Sequence, residues 1–220
     1  MQVLPQRMQT LLTGFGAFGR VISNPTERIV QALAFDCFAG QDITGYVLPV
    51  SYAQTTEILP ALLEIGGRNG KPFDHIVMLG VAMGNSHWRV EEFGRKACGA
   101  SKDIEGATSP RALLPDAPEL LQSTLLNDQI AETLRAHAIP ARLSVSAGGY
   151  LCNFALYHML SIIQPMENPP IVGFLHVPAD PQTFAPQLTS APTFPLEMHM
   201  EAVQTLLETL TTIPTQRAVL

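Results

Sequence analysis

The chain is short of cysteine, of charge and of basic residues, and each shortage excludes a class of function. Its three cysteines, Cys37, Cys98 and Cys152, are an odd number and form no disulfide framework. Their separations of 61 and 54 residues fit no zinc-ligand spacing, so no metal is expected. Charged residues are 15% of the 220, with 19 acidic against 13 basic and a net charge of -6. A nucleic-acid binder needs a basic patch or stripe, and this balance argues against one. No apolar run reaches the roughly 18 residues of a membrane span. Met1 to Met8 lacks the charged start and apolar centre of a signal peptide. The expectation is a cytoplasmic protein with reduced thiols, bound to neither nucleic acid nor membrane.

Hydrophobic residues are plentiful, 46% of the chain, enough for a full core and against disorder. One domain over 1–220 is expected. Met8 to Thr13 reads as a buried strand ending at Gly14, and Asn24-Pro25 signals a helix start with an Asx cap. Further strands are read at 43–50, 74–79, 141–145 and 171–177, and helices at 25–35, 55–65, 118–137, 151–163 and 196–211. Residues 80–116 read as irregular, with a hairpin around Trp88 to Phe93, and 178–195 as a Pro-rich loop. Strands alternating with helices give an α/β fold: a three-layer α/β/α sandwich on a mainly parallel, mixed sheet.

Ser144-Val-Ser-Ala-Gly-Gly-Tyr-Leu-Cys152 is the stretch that carries most chemistry. It reads as a strand end, a Gly-Gly turn and the first turn of a buried helix. Peptide dipoles and free N–H groups there favour a thiolate and draw the thiol pKa down from about 8.5. The alternative is a small apolar core residue. His176 ends the apolar strand Ile171-Val-Gly-Phe-Leu-His-Val177. Open α/β sheets bind ligands at the carboxyl ends of their strands, the edge where the Cys152 helix also begins. A thiol and an imidazole can meet there as nucleophile and base. An imidazole base needs a carboxylate to fix its tautomer, and Glu91 and Glu92 both follow the third strand. Gly14-Phe-Gly-Ala-Phe-Gly19 matches the dinucleotide G-x-G-x-x-G pattern, but its helix signal comes five residues late. The better reading is a loop that brings Phe15 and Phe18 to a pocket, or packs them in the core.

Four segments, in order, resemble pyroglutamyl peptidase type I, a family of cysteine peptidases. They are Thr13-Gly-Phe-Gly-Ala-Phe-Gly19 with Asn24-Pro25, Leu48-Pro-Val-Ser-Tyr52, Ala147-Gly-Gly-Tyr-Leu-Cys152-Asn153, and Phe174-Leu-His176-Val-Pro178-Ala-Asp-Pro181. The resemblance implies Cys152 as nucleophile, His176 as base and, through Gly80-Val-Ala-Met-Gly84, Glu91 as acid. It implies Phe15 and Phe18 against a pyrrolidone ring, with Tyr150 and Leu151 as walls. It also implies a peptide substrate blocked by pyroglutamate, no cofactor and a homo-oligomer, commonly a tetramer. The chain departs from the family pattern after Glu91, where Ser101-Lys102 falls near a family Arg. A member with altered or lost activity, acting on another acyl-amide or only binding, is the alternative; a dinucleotide enzyme is the more distant one.

Overall fold

The computed structural model describes residues 7–67, 70–110, 117–184 and 192–212. Seven strands share one sheet: β1 (Met8–Phe15), β2 (Cys37–Phe38), β3 (Gln41–Leu48), β4 (His75–Ala82), β5 (Trp88–Glu91), β8 (Ala141–Ser144) and β9 (Ile171–Pro178). A separate ribbon pairs β6 (Phe93–Arg95) with β7 (Leu120–Gln122). The helices are α1 (Pro25–Leu33), α2 (Tyr52–Ile65), α3 (Asn127–Ala136), α4 (Leu151–Ile163) and α5 (Leu196–Thr212).

Strand order is β2-β3-β1-β4-β9-β5-β8. β3, β1, β4 and β9 run parallel, β2 is antiparallel to β3, and β5 runs antiparallel to β9 but parallel to β8. The sheet is therefore mixed. β4 is buried at all eight positions and β9 at seven of eight, as central strands covered on both faces must be. One core lies between the sheet and α1, α3 and α5, the other between the sheet and α2 and α4. That is the expected three-layer sandwich.

Local chemistry sets the ends of the elements. Asn24 Oδ1 accepts from the Thr26 N–H at 3.1 Å, and Pro25 occupies the first turn of α1, where its missing N–H costs nothing. Thr26 Oγ1 in turn accepts from the Phe15 N–H at 3.0 Å. A Cβ on Gly14 would lie 2.5 Å from the Thr26 carbonyl oxygen. That glycine is thus used for close packing of α1 on β1, which extends through Phe15 rather than stopping at Gly14.

Two expectations are corrected. Trp88 to Phe93 is not a local hairpin: β5 inserts between β9 and β8, with Trp88 and Val90 in one core and Arg89 and Glu91 on the other face. The alternation was visible in the sequence, but its partners are distant. The helix expected over 118–137 begins only at Asn127. Leu120 is exposed and Leu121 buried, a strand's alternation, and β7 pairs with β6. Ser123 Oγ then donates to the Val172 carbonyl at 3.0 Å and accepts from the Leu125 N–H at 3.3 Å, which competes with helical bonding. In the expected loop 178–195, Asp180 to Thr183 forms a turn closed by Thr183 Oγ1 donating to Asp180 Oδ1 at 2.8 Å; residues 185–191 lie outside those described.

Candidate active site

Cys152 is the second residue of α4, half-buried, on the face of the sheet that α2 and α4 cover. Tyr150 caps the helix with no side-chain hydrogen bond, so the cap residue itself does not occupy the first N–H groups. The thiol fits against β4 only because residue 80 is glycine. A Cβ there would come within 2.8 Å of Cys152 Sγ and 2.8 Å of the Phe174 ring. Gly80 is the register partner of His176 across β4 and β9. One backbone position therefore abuts both the thiol and the histidine's strand.

The thiol is not the thiolate expected from its place at a helix start. Burial pushes its pKa up to about 12, and the nearby Glu91 adds to the rise. Arg89 and the backbone N–H of Cys152 pull the other way without prevailing. Desolvation of a charged sulfur outweighs one helix terminus, and the resting group is a thiol.

His176 is buried on β9. Its Nδ1 lies 2.7 Å from Glu91 Oε1, and Glu91 is fully buried. A carboxylate oxygen only accepts, so Nδ1 carries the proton and Nε2 is left as the acceptor. Burial lowers the imidazole pKa; its bond to Glu91 and the charge of Glu91 oppose this, while Arg89 lowers it further. Arg89 Nε donates to the same Glu91 Oε1 at 3.0 Å, and one of its terminal nitrogens lies 2.9 Å from that oxygen. Glu92, half-buried, contributes its backbone instead: its N–H donates to Ser144 O at 2.7 Å.

The aromatic residues divide by depth. Phe15 and Leu151 are buried in the core under α2 and α4, whereas Phe18 and Tyr150 are half-buried with ring centroids 6.2 Å apart. Tyr52, not anticipated from the sequence as part of this site, stands edge-on to Tyr150 at 5.9 Å and to Phe154 at 5.0 Å. Burial raises both tyrosine pKa values, keeping the hydroxyls as neutral donors. They donate to the departing loop: Tyr150 to the Lys102 carbonyl at 3.0 Å and Tyr52 to that of Ser101 at 3.4 Å.

Asn153 holds the same loop from its other end. Its Oδ1 accepts from the Arg95 N–H at 2.8 Å, and its Nδ2 donates to the Arg95 carbonyl at 2.8 Å. Gly99 donates to the Gly149 carbonyl at 2.7 Å, joining the loop to the Gly-Gly turn before Cys152. The segment after Glu91 is thus bonded to both sides of the thiol. Among the described residues, no group of three or more His, Cys, Asp or Glu is placed to hold a metal ion. Arg89 and Gly80 carried the weakest sequence signals. Arg89 was findable from the alternation Trp-Arg-Val-Glu, which sets it on the face of Glu91.

A model of the family described as pyroglutamyl peptidase matches residues 8–212. The pyrrolidone-carboxylate peptidase of Pyrococcus furiosus is 34% identical over 91% of this chain and 97% of its own. That of Thermococcus litoralis is 31% identical over 89% of this chain and 90% of its own. The crystal structure of a mutant pyrrolidone carboxyl peptidase from P. furiosus matches with a TM-score of 0.86 at 33% identity, covering 94% of this chain and 100% of that one.

Proposed function

The chain belongs to the pyroglutamyl peptidase family and removes an N-terminal pyroglutamyl residue from peptides, and we propose that Cys152, His176 and Glu91 carry the reaction. The observation that supports this assignment is the buried Glu91–His176 pair, with His176 in register beside Gly80 of β4, the position against which the Cys152 thiol packs.

Because the resting thiol is neutral, the proton must leave as the sulfur attacks. His176 Nε2 takes it as the Sγ–C bond forms at the carbonyl joining pyroglutamate to the next residue. Glu91 steadies the imidazolium produced. The developing oxyanion is met by N–H groups at the uncapped start of α4; losing one such donor typically costs about 100- to 1000-fold in rate. His176 then gives its proton to the leaving amine, and a thioester remains. Water, deprotonated by His176, releases free pyroglutamate and restores the thiol.

Phe18 and Tyr150 are read as the walls on the lactam ring, with Phe15 and Leu151 behind them. A free α-amino group would bring an unpaired charge into this aromatic pocket, which favours the blocked terminus. No helix of the described residues is long and apolar enough to cross a membrane. We read the chain as one peptidase unit, cytoplasmic, binding neither nucleic acid nor membrane and assembled as a homo-oligomer, commonly a tetramer in the family it resembles. Light scattering on the purified protein tests the assembly. Release of a fluorophore from a pyroglutamyl amide tests the chemistry: wild type should turn over, and Cys152→Ala should not. Undiminished release by folded Cys152→Ala would sink the assignment.

A further inference from the structure

Arg89 makes more bonds in the site than any role given so far requires. It sits on β5 directly opposite His176 in the β5–β9 register, two residues before Glu91 and on the same face. Its Nε lies 3.0 Å from Glu91 Oε1, and a terminal nitrogen lies 2.9 Å from that oxygen, 3.2 Å from His176 Nδ1 and 3.4 Å from the Ser146 carbonyl. Ser146 belongs to the turn that delivers Cys152. One side chain, one-fifth exposed, thus touches the acid, the base and the turn before the thiol.

The chemistry of these contacts is directional. Both Nδ1–H and the guanidinium are donors, so they cannot bond to one another, and both converge on Oε1. Glu91 Oε2 is buried with no partner among the described residues. The carboxylate is therefore held by one oxygen, aimed at the ring, and the planar fork of arginine fixes that aim as a lysine ammonium would not. The guanidinium also stands beside the ring that must become cationic, where like charges repel. It opposes a resting imidazolium and leaves the ring free to act as base.

We propose that Arg89 is a positioning residue for this peptidase, locking Glu91 against His176 and tying both to the turn that presents Cys152. This rests on the assignment of Cys152, His176 and Glu91 above. Among the described residues, the charges that act on His176 are those of Glu91 and Arg89 from β5, and the same two act on the Cys152 thiol of α4; β4 sets Gly80 at the His176 register, and β8 sets Arg142 beside Arg89.

The test compares Arg89→Gln and Arg89→Lys with wild type on the pyroglutamyl amide across pH, with melting curves to establish folding. Arg89→Gln should lower kcat by about 10- to 100-fold, the range typical when an outer partner of a functional imidazole is lost, with KM changed far less. Without the neighbouring cation the imidazole protonates more readily, so the acid limb of kcat/KM should move to higher pH. The ratio of rates at pH 6 and pH 8 should fall at least about threefold further than in wild type. Arg89→Lys should keep the wild-type limb and recover only part of kcat. In a Cys152→Ala background, the NMR titration of His176 should move upward with Arg89→Gln. A folded Arg89→Gln with the wild-type limb and an unmoved His176 titration overturns the proposal. If Arg89→Gln does not fold, Arg89→Lys decides: full kcat shows that the fork is not needed. These failures leave the underlying assignment standing so long as Cys152→Ala is inactive; an active Cys152→Ala discards both.

Discussion

His176 and His199 are both buried, on opposite faces of one sheet. His176 faces α2 and α4 and has Glu91 at 2.7 Å. His199, on α5, packs against Trp88 at 5.6 Å and Phe194 at 6.1 Å, and neither of its ring nitrogens has a hydrogen-bond partner among the described residues. Burial pushes the His199 pKa down to about 4, with the Arg28 charge adding to the fall. Burial acts on His176 in the same direction, but a carboxylate there favours the imidazolium. Burial without an acidic partner therefore makes an inert neutral ring; a buried carboxylate beside the ring favours its taking up a proton.

The largest effect should come from exchanging these roles by mutation. His176→Ala is expected to lower kcat by at least about 1000-fold, whereas His199→Phe should leave fluorophore release within about threefold of wild type, as surface and core sites remote from the chemistry do. Comparable losses from the two would erase the contrast. Next comes the carboxylate. Glu91→Gln should cost on the order of 1000-fold through the wrong ring tautomer, and Glu92→Gln far less, since Glu92 serves the sheet through its backbone. Gly80→Ala follows. The added methyl must displace the thiol or the Phe174 ring, and a shift of about 1 Å at a reacting group costs roughly 100-fold. Thiol titration with a small alkylating reagent would report the displacement independently.

The last effect is on stability and leaves the chemistry untouched. A His199 that titrates near 4 when folded and 6.5 when unfolded binds its proton more readily in the unfolded chain. Stability is then full above pH 6.5, falls as pH drops through the window from 6.5 to about 4, and is flat below it. The loss across that window is on the order of 3 kcal/mol. His199→Phe should flatten the melting temperature over this range; an unchanged slope would assign the acid sensitivity to other groups.

Much of this was legible in the residues, because the signals were local. Continuous apolar runs marked β4 and β9, Asn24-Pro25 marked the start of α1, and the Gly-Gly turn marked α4. Glu91 was separable from Glu92 only by resemblance; in the structure the antiparallel register of β5 on β9 separates them, setting Glu91 opposite Phe174 and within reach of His176. What stayed hidden depends on partners far along the chain. β5 is four residues whose neighbours come from 141–144 and 171–178. β7 is three residues inside what periodicity alone reads as a helix. The thiol's protonation is hidden for the same reason: a helix terminus is visible in a sequence, but the desolvation that overrides it belongs to the packed site.

α1 and α4 begin differently, and the difference bears on engineering. Asn24 accepts from the Thr26 N–H at the start of α1, while Tyr150 makes no side-chain cap bond at the start of α4. By helix rules alone Tyr150→Asp would add a cap worth about 1 kcal/mol to an ordinary helix. Here the same oxygen would occupy the donors and set a negative charge beside the sulfur. A cap at this helix start is therefore an inhibitor built into the backbone's own binding site.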